Sequence, residues 1–147
     1  YAAGLTIKKE QFEAFTDRFE EIVNQNSTEE LRTPEISYDT EIDFSEITQK
    51  FFVVLDQFKP HGPGNMTPIF RTNHVADSGS RIVKEKHLKL VAYQSGTRFD
   101  GIAFNMSDAF PMISKNLPFD VCYSLEMNEF KGVRNLQLKV RDIRPTV

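Results

Sequence analysis

Residues 119–145 read FDVCYSLEMNEFKGVRNLQLKVRDIRP, and they decide the fold because their side chains alternate as those of an amphipathic β-hairpin do. The outgoing strand places four apolar side chains on one face: Val121, Tyr123, Leu125 and Met127. The returning strand places three on its core face: Leu136, Leu138 and Val140. We predict that residues 128–132 form the turn, where Gly132 can adopt a positive φ.

The returning strand is also basic. One carboxylate, Asp142, stands among five cationic side chains: Lys131, Arg134, Lys139, Arg141 and Arg144. Cations gathered on one element favour association with a polyanion. We therefore predict that this hairpin contacts a polyanion.

The composition is that of a globular protein. Thirteen of the 147 residues are Phe and 39% are hydrophobic, which predicts one domain with an appendage. No apolar run is long enough to span a membrane, and no signal peptide is recognisable. The lone Cys122 lies in an apolar strand, so we expect a small buried hydrophobe in a reducing compartment rather than a reactive thiol.

Charge is divided unequally along the chain. Residues 1–58 contain thirteen acidic and five basic side chains, whereas residues 59–147 contain eight acidic and thirteen basic ones. This asymmetry indicates that the second part carries any nucleic-acid face. The alternative is a random scatter of charge over two solvated faces.

Two helices are predicted in the acidic part. Apolar side chains recur at helical spacing over residues 7–25, with Thr6 as the cap, and residues 24–34 have the composition of a linker. A second helix is capped by Asp43 or Ser45. Its expected buried stripe consists of Ile47, Phe51, Val54, Leu55 and Phe58.

Residues 35–44 alternate apolar and polar side chains, which predicts a strand between the two helices. Its polar face carries Asp39, Glu41 and Asp43. Three carboxylates can hold a metal ion, but no histidine and no second cluster accompanies them. A solvated strand face accounts for the same residues, so we expect no metal ligand and no catalytic residue among them.

The basic part reads as a series of short strands. Strands are predicted from residue 69 to 75, 87 to 94 and 97 to 105, with a polar connection over residues 76–85 and a short helix within residues 106–115. With the final hairpin, this pattern indicates a mainly β domain with helical additions (α+β), a partly closed antiparallel barrel preceded by an N-terminal helix. An OB-like barrel is one member of that class.

The 87–104 hairpin offers the sharpest candidate for binding. Its expected outer face mixes aromatic rings with cations, as surfaces for single-stranded nucleic acid do. The candidate residues, with flanking cations, are Lys84, Lys86, Lys89, Tyr93, Arg98, Phe104, Arg134, Lys139 and Arg141. The competing interpretation places Tyr93, Ile102 and Phe104 in the core beneath a helix.

Four stretches of the chain resemble the RecJ-type single-strand-specific exonucleases, in that family's order. They are Ala-Ala-Gly-Leu at residues 2–5, FKPHGPGNMTPIF at 58–70, FDGIAF at 99–104 and LEMNEFKGVRNLQLKVRDIRP at 125–145. His61 stands where the family more often has Phe. The loop at 59–68 lacks the Lys-Ser or Lys-Thr of a nucleotide-binding P-loop, so we expect a structural loop there.

The resemblance implies an OB-like fold and a domain division. Residues 1–30 would be the C-terminal remnant of a DHHA1 domain with its linker, and residues 31–147 an OB-like nucleic-acid-binding domain. Ala3 and Gly4 would lie near the substrate's phosphates. The family's catalytic Asp-His-His motifs, which use Mn²⁺ or Mg²⁺, are absent from this sequence, so neither a metal ligand nor a bound cofactor is expected in this piece.

The function implied by the resemblance is the gripping of single-stranded DNA for a 5′-to-3′ exonuclease in recombination and repair. The expected partners are single-stranded DNA, the upstream DHH and DHHA1 domains and a single-strand-binding protein, in the bacterial cytoplasm and without a membrane. The alternative is a docking or bracing module of the same nuclease that makes no DNA contact.

Overall fold

The computed structural model describes residues 4–28 and 35–146, and the chain divides into two compact units, Tyr1–Glu35 and Ile36–Val147. The first unit contains a 3-10 helix at Lys9–Gln11, followed by α1 at Phe12–Asn26. The prediction of a helix here is confirmed, but Thr6 does not cap it, because the first turn begins at Lys9. The predicted domain boundary, Ala3 and residues 29–34 of the predicted linker lie outside the described residues.

Over residues 36–146, the second unit holds seven strands and two α-helices. The strands are β1 (Thr40–Glu41), β2 (Phe70–Asp77), β3 (Arg81–Val83), β4 (His87–Gln94), β5 (Thr97–Ala103), β6 (Phe119–Phe130) and β7 (Val133–Pro145). The helices are α2 (Gln49–Asp56) and α3 (Phe110–Ile113). A 3-10 helix precedes each of them, at Phe44–Glu46 and Ser107–Ala109.

The strands form one sheet in the order β1-β2-β6-β7-β5-β4-β3. Strand β2 also pairs with β4, so five strands (β2, β6, β7, β5 and β4) close into a ring. The β1–β2 and β5–β7 pairs are parallel and the others are antiparallel. The predicted class is confirmed: a partly closed barrel with helical additions, preceded in the sequence by an N-terminal helix.

The barrel interior is filled by side chains that alternate inward from these strands and by Phe44 and Ile113, which the 3-10 helix at Phe44–Glu46 and α3 contribute. Its largest fully buried members are Tyr123, Phe44, Phe119, Leu88, Leu90, Ile113 and Leu138. Leu88, Leu90, Ala92 and Ala103 of the β4–β5 hairpin are also buried there, and Phe99 packs against this core. Burial of this apolar surface is the main favourable contribution to folding.

One polar network crosses the apolar interior. The hydroxyl groups of Tyr123 and Thr72 lie 2.7 Å apart, and the Thr72 hydroxyl donates to the Ile42 carbonyl at 2.8 Å. Because Tyr123 is buried, the pKa of its phenol is raised, and the hydrogen bond with Thr72 offsets part of that effect. The network fastens the segment before α2 to the barrel.

The final hairpin has a tighter turn than predicted. Phe130 pairs with Val133, which leaves Lys131 and Gly132 as the two turn residues, with φ of 52° and 76°. Two consecutive positive φ values match the two-residue type I′ turn, whose twist suits flanking β-strands. The predicted positive φ of Gly132 is confirmed, whereas the predicted five-residue turn was too long.

Four further sequence predictions were wrong in part. The segment 35–44 contributes a two-residue strand rather than a long one, and the predicted polar connection contains β3. Thr48, not Asp43 or Ser45, caps α2, since its hydroxyl accepts from the Phe51 amide at 3.1 Å. The helix ends at Asp56, and two members of the predicted stripe, Val54 and Phe58, are exposed.

Candidate nucleic-acid interface

The β4–β5 hairpin brings the predicted aromatic and cationic side chains onto one surface. In its antiparallel register, Lys89 lies opposite Ile102 and Tyr93 lies opposite Arg98. Directly opposed residues share a face of the sheet, and Leu88, the neighbour of Lys89, is inside the barrel. We call the opposite side the outer hairpin face, formed by Lys89, Val91, Tyr93, Arg98, Asp100, Ile102 and Phe104, of which Val91 is buried.

Both predicted aromatic rings of this face are accessible. Tyr93 is 44% exposed and Phe104 is 53% exposed, so neither is sealed beneath a helix in this unit. Phe104 packs its ring edge-to-face against His87, with 5.3 Å between centroids, and the Asn105 amide donates to His87 Nδ1 at 3.0 Å. These contacts hold the Phe104 ring in place while leaving half of its surface open.

The two cations of this face share one carboxylate at long distance. Lys89 Nζ lies 3.9 Å from Asp100 Oδ2, and Arg98 Nη2 lies 3.7 Å from Asp100 Oδ1. Solvent-exposed pairs of this kind contribute about 0–1 kcal/mol each. A phosphate can therefore compete for both cations at little cost in protein stability.

Neighbouring strands extend the row of cations in both directions. On one side Arg81 of β3 lies opposite Lys89, and on the other Lys139 of β7 lies beside Ile102. Reasoning from the sequence missed Arg81 because β3 was not predicted. Three cations therefore lie in one row across the adjacent strands β3, β4, β5 and β7, with Ile102 of β5 between the last two: Arg81, Lys89 and Lys139.

The remaining predicted residues lie elsewhere. Lys84 and Lys86 are exposed in the β3–β4 turn, at the end of the hairpin rather than on its face. Arg134 and Arg141 line a cleft of about 500 Å³ beside α2, which Lys139 also lines. Gly4 belongs to the other unit and has open space around it.

The three carboxylates of the predicted strand 35–44 do not converge. Asp39 accepts from the Ile69 amide, and Asp43 accepts from Gln94 Nε2. Glu41 accepts from Tyr38 and from Asn73. Across residues 4–28 and 35–146, no three His, Cys, Asp or Glu side chains are grouped so as to hold a metal ion.

Comparison with known proteins decides the family. The family model described as "RecJ OB domain" matches residues 38–142 of this chain. The chain belongs to the RecJ OB domain family. The matched range begins just before β1 and ends within β7, so it includes residues from every strand of the barrel.

Relatives named "Single-stranded-DNA-specific exonuclease RecJ" are similar in sequence over nearly the full chain. The protein from Escherichia coli K12 is 32% identical over 146 residues, which is 98% of this chain and 25% of that relative. The Bacillus subtilis protein is 24% identical over 96% of this chain and 18% of its own length. The chain therefore spans about a quarter or less of these relatives.

A solved structure has the same fold. The crystal structure of RecJ in complex with Mn²⁺ from Thermus thermophilus superposes with a TM-score of 0.71 at 22% identity, covering 98% of this chain and 20% of that one. The residues described in this chain do not fit a Mn²⁺ site of their own. None of the described helices combines the length and apolarity that a membrane crossing requires.

Proposed function

We propose that this chain is the OB portion of a bacterial single-stranded-DNA-specific exonuclease and that its outer hairpin face holds single-stranded DNA. The observation that carries the proposal is the exposure of Tyr93 and Phe104 on one surface with Lys89 and Arg98. Unpaired bases stack on such rings for about 1–3 kcal/mol each, and the cations neutralise phosphates without reading sequence.

The names of the relatives support the choice of single-stranded DNA as ligand. On this proposal the parent protein hydrolyses single strands from the 5′ end, in recombination and repair in the bacterial cytoplasm. Its Mn²⁺ or Mg²⁺ would be held by upstream DHH and DHHA1 domains, and Gly4 would lie near the substrate's phosphates. The chain's own part is to hold and orient the strand.

Fluorescence anisotropy of the 147-residue chain with a labelled oligothymidylate of about twelve nucleotides tests the proposal. If three cations (Lys89, Arg98 and Lys139) neutralise phosphates, the slope of log K against log salt is about −2 for a single strand. The affinity then falls about 20-fold between roughly 50 and 200 mM salt. Absence of binding at the lower salt, or binding that salt does not change, would refute the proposal.

A second candidate function is docking of another protein or domain, including a single-strand-binding protein. The observation that favours it is the apolar side of α2, where Val53 is 49% exposed and Phe58, just beyond the helix, is 60% exposed. Replacing both by Ser should abolish association with the upstream domains and leave oligonucleotide affinity unchanged. The reverse result would assign this surface to DNA.

A further inference from the structure

A basic cleft lies beside α2. It has a volume of about 500 Å³ and is walled by α2, the 59–68 loop and the β6–β7 hairpin. Its basic lining consists of Lys59, His61, Arg134, Lys139 and Arg141, against Asp56 and Glu126. Apolar side chains, among them Phe52 and Leu55, form the rest of the wall.

The cleft exists because β6 is longer than its neighbour β2. Strand β2 begins at Phe70, which pairs with Tyr123, so residues 124–130 of β6 extend past its end. The 59–68 loop runs beside this open edge and is held in shape by Asn65, whose Nδ2 donates to the carbonyls of Phe58 and Pro60 at 2.7 and 3.0 Å. One wall of the cleft is therefore preorganised.

Several basic groups of the cleft lack a close partner. His61 Nδ1 is buried and has no hydrogen-bond partner among the residues that the structure describes, an unfavourable state that a ligand would relieve. Arg141 forms no ion pair with any residue that the structure describes. Lys139 Nζ lies 3.9 Å from Glu126, beyond hydrogen-bond distance.

A β-bulge directs Arg141 toward the cleft. Tyr123 pairs with Val140 while Cys122 pairs with Asp142, so Arg141 is the extra residue of β7. Bulges re-aim a side chain that a regular strand would send elsewhere, and they recur beside functional sites. Here the bulge places next to Lys139 a guanidinium that has no ion-pair partner among the described residues.

Lys139 joins the cleft to the outer hairpin face. It lies beside Ile102 of β5 and opposite Ser124 of β6, and Ser124 lines the cleft. Adjacent strands are about 4.8 Å apart, so Lys89 and Ser124, three strands apart, are separated by roughly 14 Å. OB-type sites cover about 4–16 nucleotides, which is enough for one strand to cross both surfaces.

We propose that the basic cleft is a phosphate site that receives the backbone of the same single strand after it passes over Lys139. This inference rests on the proposed function and extends it. The guanidinium of Arg141 and the imidazole of His61 contact the phosphate, and Phe52 and Leu55 pack against the sugar and base. The HGPGN segment of the 59–68 loop then shapes one wall of a binding site.

Oligothymidylates of two lengths test the cleft, since about four nucleotides fill the outer hairpin face and about twelve also reach the cleft. We expect Arg141→Ala to weaken binding of the longer strand about five- to tenfold and that of the shorter one less than twofold. His61→Phe, which keeps an aromatic ring and removes the nitrogens, should weaken the longer strand about threefold. Lys115→Ala, an exposed cation on another part of the barrel, is the matched control and should change neither.

The outcomes separate the cleft from the face. If Tyr93→Ala weakens both strands while Arg141→Ala and His61→Phe change neither, the cleft proposal is overturned and the proposed function stands. If no strand binds, both fail. If binding of inorganic phosphate or of an acidic peptide requires Arg141 but binding of the longer strand does not, the cleft receives another ligand and the inference is overturned. Thermal unfolding of each variant shows whether it is folded.

Discussion

Ile102 of β5 lies beside Lys139 of β7 in parallel register. This pairing is the contact through which the cation of the last hairpin joins the face built by the β4–β5 hairpin. Lys139 is also the residue that the outer hairpin face and the basic cleft have in common. The position of one lysine therefore decides whether the two surfaces form a single path.

Lys139→Ala should weaken oligonucleotide binding more than any other single lysine substitution. Because Lys139 serves both surfaces, we expect short and long strands to lose affinity alike, about fivefold at low salt, and the salt slope to fall by about 0.7. Anisotropy titrations at several salt concentrations measure both quantities. Lys115→Ala is the control, and equal effects of the two substitutions would contradict the shared role of Lys139.

Tyr93→Ala should cost the stacking energy of one base. A loss of about 1–3 kcal/mol raises the dissociation constant roughly five- to 150-fold. Tyr93→Phe keeps the ring, so its dissociation constant should stay within about twofold of the wild-type value. Both variants are compared by anisotropy with Val133→Ala, which removes an exposed apolar side chain outside the face. Loss of affinity in the Phe variant would point to the hydroxyl group rather than to the ring.

The local half of this architecture could be predicted from the sequence. The alternation of apolar and polar side chains predicted β4, β5 and the final hairpin, because each of these strands has one buried face. A shift of the strand register by one residue would expose Leu88 or Leu138. The outer hairpin face followed from the same register. The β4–β5 hairpin is closed by a two-residue turn, so nothing distant was needed to place Tyr93 beside Arg98.

The rest depends on contacts between distant parts of the chain. Strand β3 is three residues long between two turns, so its alternation is too short to recognise, and Arg81 was missed with it. The parallel pairing of Ile102 with Lys139 joins β5 to β7, which are not consecutive in the chain, and the bulge at Arg141 interrupts the alternation within the final hairpin. Alternation over residues 35–44 predicted a long strand, but Asp39 and Asp43 bind backbone and side-chain groups of other segments, which limits the ladder to two residues.

Gly101→Ala should destabilise the barrel. An added Cβ at Gly101 would lie 3.1 Å from the Leu138 carbonyl oxygen and 3.2 Å from Leu138 Cβ, so β5 and β7 would have to move apart. Overpacking of this kind costs about 1–3 kcal/mol of unfolding free energy. Gly62→Ala is the matched control, since nothing lies within 4 Å of its added Cβ, and urea denaturation compares the two. Equal stability of the two variants would show that the β5–β7 pair can relax.

Asp120 ties the end of β7 to β2, and its substitution should change stability in a pH-dependent way. Its carboxylate accepts from Arg71 Nη2 at 2.6 Å, from the Thr146 hydroxyl at 2.6 Å and from the His74 amide at 3.1 Å. Burial opposes ionisation, but these three hydrogen bonds outweigh it, so the pKa of Asp120 is lowered below its ordinary value of 3.8. Ionised Asp120 therefore stabilises the fold.

Asp120→Asn should lower the unfolding free energy by about 1.5–3 kcal/mol at neutral pH, because one charged acceptor is lost and an amide N–H₂ group faces the Arg71 guanidinium. A carboxyl with a lowered folded-state pKa contributes fully above its unfolded pKa and loses that contribution as pH falls through the folded-state value. The gap between wild type and variant should hence be full at pH values above about 5 and shrink below about 4. Urea denaturation across this range measures the gap. Glu129→Gln, at an exposed pair with Arg134, should stay within about 1 kcal/mol throughout. A gap for Asp120→Asn that stays constant down to the lowest pH would show that its charge does not carry the effect.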